Sequence, residues 1–289
     1  MKRKKRNKLL SVCFVLVLAA FATVGGVLAA EAMQVNHNGE STQPGEGFQV
    51  ELVMQQRAYH ADGTLAGLEP YEDGTMLYPL VGSAQYNGSN FDKYGMPTAE
   101  GYVDQIVRMT NTSNQPMYVR LLVAVPAALE EINGNASKNA LHWNLGNRFM
   151  PEGNFSSSNH TNTAFAKYEE PIKIGTQTEN GILYNVYTIT YKEALLAGET
   201  TPAAAFVGFY FDKNVNIVDD KVYLNGKYTG YQGTTVDIAV KAQGVETTGH
   251  DNAEAAFAEY GVSDYPWQTS TNTIADTKKM TTKTRENQQ

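Results

Sequence analysis

The chain has 289 residues, 23 basic against 30 acidic side chains for a formal net charge of −7, and one cysteine. An acidic balance of this kind keeps a protein soluble and argues against binding nucleic acid or anionic lipid. A single thiol leaves no internal disulfide, so a chain of this length must be held by one large core.

Residues 1–30 read as an export signal. Lys2, Arg3, Lys4, Lys5, Arg6 and Lys8 precede the apolar run "LLSVCFVLVLAAFATV", and the small residues of "GGVLAAEA" follow. A basic region, an apolar region and a small-residue cleavage site are the three parts of such a signal. The bond between Ala30 and Glu31 fits the small-residue rule, as does the bond after Ala32; an uncleaved anchor helix is the alternative reading. Cutting after Ala30 removes six basic residues, so 17 basic and 30 acidic remain, a net of −13. Cys13 leaves with the signal, and it precedes most of the apolar run, where a lipoprotein cysteine would follow it.

Residues 31–47, "EAMQVNHNGESTQPGEG", lack periodicity and predict a flexible N-terminal arm. A β-sandwich domain is expected over 48–263. "FQVELVMQ" alternates, with Phe48, Val50, Leu52 and Met54 on one face. "YEDGTMLYPL" reads as a turn followed by a strand. "GYVDQIVRMTNTSNQPMYVRLLVAVP" reads as a hairpin, one strand ending at Met109 and the next beginning at Met117, with Val119, Leu121, Val123 and Val125 on one face and Arg120 on the other. Residues 130–180 are rich in Asn and Ser and predict a loop-rich excursion with one short helix. Two readings of it stand, a recognition surface carrying Trp143 and Phe149 or a surface insertion without a ligand.

Strands resume in "GILYNVYTITYK", whose two faces are both aromatic or β-branched, as in a strand covered on both sides. "AAAFVGFYFD" follows. Asn225-Gly226 sits between alternating residues, a hairpin signal because both turn positions need positive φ. "TTVDIAVKAQGVE" is the last expected strand, with Val236, Ile238, Val240 and Ala242 on one face. Residues 264–289 are Thr-rich and nearly devoid of aliphatics, which predicts a disordered tail. About eight short strands with little helix make the expected class mainly β, a jelly-roll-like sandwich with short peripheral helices.

One of those helices is expected at 251–260. Asp251 is placed to cap it, with Glu254 three residues on at the capping-box position. Ala253, Ala256, Phe257 and Tyr260 form one apolar face, and Gly261 ends the helix. His250 and Glu254 are four apart, the spacing at which a helix presents two metal ligands. His250 falls just outside the helix, however, and a catalytic zinc wants three protein ligands. The five histidines His37, His60, His142, His160 and His250 give no HExxH or HxxxH spacing. There is no GxSxG, no GxGxxG and no P-loop. No catalytic, cofactor-binding or metal-binding residue is assigned on this reading, and no cofactor is expected. The 17 Tyr, 11 Phe and 2 Trp read as cross-strand packing or a sugar-binding face. The Asn-x-Ser/Thr triplets at Asn87, Asn111, Asn135, Asn154 and Asn159 read as loop residues behind a bacterial-looking signal.

Four stretches in order resemble one Gram-positive family. They are the signal end "ATVGGVLAAEA", the strand pair in which Asn-Thr is followed by Tyr-Val-Arg, the stretch "YNVYTITYKEALLAGETTPAAAFVGFYFDKNV", and the closing "IAVKAQGVETTGHDNAEAAFAEYG". Together they are similar to the SipW-dependent exported proteins of the TasA/camelysin type. The resemblance implies a jelly-roll domain, a dedicated signal peptidase as partner during export, and an extracellular or cell-surface location. It implies a structural or biofilm-matrix role, with self-association or matrix partners and no membrane after cleavage. Assembly in such proteins adds a strand from one subunit to a neighbour's sheet. The polar arm is long enough to reach but has little apolar surface to bury, so "FQVELVMQ" is the better donor, although it reads first as an ordinary internal strand. A cell-surface glycan- or protein-binding module is the alternative. The camelysin side of the family carries a metal-dependent peptidase activity, for which no motif is present.

Overall fold

The structure is a computed structural model; it describes residues 50–72, 77, 79–80, 91–130, 138–156, 161–260 and 268–273. The arm, the signal and the Ala30–Glu31 bond lie outside the described residues. In chain order the elements are β1 (Val50–Tyr59), β2 (Leu65–Pro70), β3 (Val103–Asn111), β4 (Met117–Pro126), β5 (Leu141–Leu145), β6 (Ile172–Glu179) and β7 (Ile182–Leu195). There follow β8 (Phe206–Phe211), β9 (Val215–Val218), β10 (Lys221–Leu224), β11 (Lys227–Gln232), β12 (Thr235–Glu246), α1 (Ala253–Tyr260) and β13 (Gln268–Thr273).

The strands form two five-stranded sheets, β2-β1-β3-β8-β5 and β13-β12-β4-β7-β6, and a three-stranded sheet β11-β10-β9. Their inward positions meet in one cluster. Val50 and Leu52 of β1 and Val107 and Met109 of β3 face Val119, Leu121 and Val123 of β4, Ile189 of β7 and Val236 and Val240 of β12. Alternating apolar residues from two sheets sharing one core define a β-sandwich. The faces read from alternation in β4 and β12 are the ones turned to this core, and β4 is buried on its other face too.

The connection between β3 and β4 differs from the expected hairpin. The two strands lie in different sheets, β3 between β1 and β8, β4 between β12 and β7. Both turn their apolar faces to the same core, so the chain arches from one layer to the other. Asn111 staples this arch and is fully buried. Its amide nitrogen donates to the carbonyls of Gln115 (2.7 Å) and Leu195 (2.8 Å). Its amide oxygen accepts from the Ser113 backbone N–H (2.9 Å) and from the Ser113 hydroxyl. A dense run of turn formers looks the same in sequence whether it closes a hairpin or an arch.

The excursion over 130–180 is also more ordered than expected. It supplies β5 to one sheet and β6 to the other, each at an edge. β6 enters β7 through Asn180 (φ 50°) and Gly181 (φ 82°), the two positive-φ positions of a tight hairpin turn. The same chemistry at Asn225 (φ 51°) and Gly226 (φ 78°) joins β10 to β11, as expected. The tail is corrected too, since residues 268–273 pair with β12 along Thr235–Val240. Threonine suits a strand, and a pairing partner across the ladder outweighs the lack of aliphatics. An unexpected strand, β2, follows the turn at His60–Gly63 and pairs with β1.

α1 forms where the apolar spacing places it, with Ala253, Ala256 and Phe257 buried. Its cap is one residue later than expected: the Asn252 side-chain oxygen accepts from the Ala255 N–H at 2.8 Å, so Asn252 and not Asp251 is the N-cap. That moves Glu254 one position earlier than a capping box requires. The helix covers the outer face of β4, where Tyr118 packs with Val245, Ala253, Ala256 and Phe257. The Arg120 guanidinium stacks 4.3 Å from the centre of the Phe257 ring while its Nε donates to Gln243 (2.7 Å). Burying the Phe257 ring is worth about 2 kcal/mol.

Candidate functional site

The second sheet ends in β6, whose outer edge has no strand partner among the described residues. Edge strands expose a row of unpaired backbone groups, and most proteins blunt them with charge or cover. This one carries Ile172 at 59% and Ile174 at 36% exposure. On the same face, a groove of about 530 Å³ runs between α1 and the edge. Ile172 and Ile174 form one wall, Thr188, Thr190 and Lys192 of β7 the floor, and Asn252, Glu254 and Phe257 the other wall, with Arg120 at the base. The groove therefore offers an apolar lip, hydroxyls and charges of both signs.

On the inner face of the same edge lies a polar cluster with a buried end at Glu130 and Asn185 and an exposed end at Lys173. Glu130, at the end of the 3₁₀ turn 127–129 after β4, is buried, as is Asn185. A Glu130 carboxyl oxygen accepts from the Asn185 amide nitrogen (2.8 Å) and from the Tyr187 hydroxyl (2.9 Å). From β6, the Lys173 ammonium donates to the Asn185 amide oxygen at 2.7 Å. Burial pushes the Glu130 carboxyl above its usual range, opposed by hydrogen bonds from Asn185, Tyr187 and the Trp143 indole and by the Lys173 charge. Burial and the neighbouring carboxyl also raise Tyr187, which keeps it a donor.

Of the two sequence-predicted aromatic residues, Trp143 belongs to this cluster. It sits in β5 with its ring 5.7 Å from that of Tyr187 and edge-on to Phe206 at 5.9 Å, bridging the two sheets. Phe149 does not join it. Phe149 is 1% exposed and packs near Tyr94 and Met96 in a separate core cluster, so its ring is spent on packing. Lys173, Asn185 and Glu130 were not singled out from sequence, because three residue types scattered over 55 positions carry no local signal.

A second buried charge cluster lies in the first sheet. Arg57 of β1 donates to Asp104 through Nε (2.7 Å) and a terminal nitrogen (2.6 Å), and to Asp92 through the other (2.9 Å). Burial disfavours its charge, but the two carboxylates outweigh that and raise the guanidinium above its ordinary pKa. His250 and Glu254 are not extended by a third ligand: among the described residues no three His, Cys, Asp or Glu side chains gather as a metal site. His142 instead faces Asp212 at 3.3 Å and stacks on Tyr210.

The fold and these sites define a mainly β sandwich whose edge strand β6 exposes Ile172 and Ile174. No protein-family model matches the chain, and no curated protein matches it. Among the described residues no helix is long and apolar enough to cross a membrane.

Proposed function

We propose that the chain is a secreted structural protein of the bacterial extracellular matrix, a subunit that assembles by adding a strand to a neighbour's sheet. The observation that carries this reading is the edge of β6, without a strand partner among the described residues and with Ile172 and Ile174 exposed on it. The export signal read from residues 1–30 and the likeness to TasA/camelysin-type sequences support it from the other side. The donor is the arm, residues 31–47. "FQVELVMQ" serves poorly, because Val50–Tyr59 already pairs within its own chain with both β2 and β3. At about 3.3 Å per residue the arm is long enough to span an eight-residue strand.

Electron microscopy of the chain lacking 1–30, compared with one lacking 1–47, tests this. Fibres from the first and monomers from the second are expected. Soluble monomers from both, at every concentration and pH, sink the proposal. A second reading, a surface module that binds glycan or protein, is favoured by the groove beside α1. A glycan array read with the chain and with Lys192→Glu discriminates it, since binding in the groove is lost in the variant.

A further inference from the structure

We propose that Lys173 and Asn185 form an intramolecular amide crosslink between β6 and β7, with Glu130 moving the protons. The motive is the placement of three groups that have no reason to meet unless they react or merely satisfy one another. The Lys173 ammonium sits 2.7 Å from the Asn185 amide oxygen. With a carbonyl bond of about 1.23 Å, the amide carbon lies within roughly 3.9 Å of the amine nitrogen, close to the separation of a near-attack arrangement. The Glu130 oxygen is 2.8 Å from the nitrogen that would leave. Lys173 stands opposite Tyr187 in the ladder, so it shares a face with Asn185 two residues away. Tyr187 and Trp143 lie against the buried end of the cluster, where Asn185 is 4% exposed, which limits hydrolysis of its amide instead.

The chemistry balances without a cofactor or oxidant. The Lys173 Nζ bonds to the Asn185 Cγ as the Cγ–Nδ2 bond breaks. The ammonium gives up two protons over the reaction, and both end on the departing nitrogen, which leaves as ammonium ion. Glu130 accepts a proton from the attacking amine and delivers it to Nδ2, a shuttle helped by burial that brings a carboxyl nearer to neutrality. Hydrogen bonds from Tyr187 and Asn185 hold the carboxyl at the right nitrogen. The product pins an edge strand covalently to its neighbour, in a chain with no disulfide to do so. The inference stands whether or not the chain assembles.

Mass spectrometry of the intact chain and of its tryptic peptides tests it. The expected result is a chain lighter by one ammonia, with residues 168–192 recovered as one peptide that resists cleavage at Lys173 and yields no fragments between 173 and 185. Lys173→Arg, on an exposed strand position, is expected to restore the full mass without unfolding the chain. Glu130→Gln is expected to leave the crosslink unformed. A full-mass chain with a free Lys173 amine overturns the proposal. So does a loss of ammonia that persists in Lys173→Arg, because that marks succinimide formation at Asn180-Gly181 or Asn225-Gly226. A crosslink formed at the wild-type rate in Glu130→Gln overturns the role given to that carboxyl.

Discussion

The two sheets each bury a charged cluster, and they neutralise it in opposite ways. In the first sheet Arg57 meets two carboxylates, Asp92 and Asp104, at 2.6–2.9 Å, so each carboxylate there shares the one guanidinium as its ion-pair partner. In the second sheet the Glu130 carboxyl is met by an amide, a phenol and the Trp143 indole, and the nearby amine reaches it through Asn185. A cluster in which one guanidinium ties both carboxylates is chemically quiet and holds β1, β3 and the loop at Asp92 together. A buried carboxyl among neutral donors, next to an amine and an amide, is poised for proton transfer. The edges differ as well: β2 of the first sheet packs Leu65 and Leu68 against a core cluster, whereas β6 leaves Ile172 and Ile174 exposed.

The largest effect expected from breaking this contrast is at the quiet cluster. Arg57→Met strands two nearly buried carboxylates, with side-chain exposures of 5% for Arg57 and 11% for each aspartate. Removing one partner of such a group costs about 3–5 kcal/mol, which chemical denaturation will read as a lower midpoint. A loss under 1 kcal/mol would mean the cluster is hydrated and not structural. A smaller effect is expected at the helix roofing the second sheet. Asn252→Ala should cost about 1 kcal/mol, and Asp251→Ala close to nothing, because only Asn252 caps. The reverse order would return the cap to Asp251.

Glu130 gives a pH dependence read as a sign. Its folded pKa is raised above the ordinary 4.5. Its contribution to stability is therefore fully present below that value and is lost as pH rises through the folded pKa. Measured in a Lys173→Gln chain, which cannot crosslink, the stability should fall with pH above about 4.5 relative to the same chain with Glu130→Gln. A difference that stays flat with pH would place Glu130 in water.

Much of this architecture can be read from local pattern, and the misses have a common cause. Val119, Leu121, Val123 and Val125 declare their buried face because alternation is a local property. Asn225-Gly226 declares its turn for the same reason. Asn180-Gly181 carries the same signal, but the polar "IKIGTQTE" before it lacks the apolar run that draws attention to a strand. Whether β3 and β4 pair or part is decided by which sheet each joins, a long-range fact that "TNTSNQP" does not encode. β13 exists because β12 offers it an edge. Trp143 and Phe149 carry the same signal, an aromatic residue in a loop-rich region, yet Trp143 lines the Glu130 cluster and Phe149 packs in a core. Lys173, Asn185 and Glu130 become neighbours only through the β6–β7 ladder and the turn after β4.

In the proposed assembly the β6 edge, not β2, receives the neighbour's strand. Amide hydrogen exchange of the chain lacking 1–30, compared before and after assembly, tests it most directly. The account predicts that backbone amides of Ile172–Glu179 gain protection on assembly while those of Leu65–Pro70 do not. Protection that appears at β2 with β6 unchanged would contradict it.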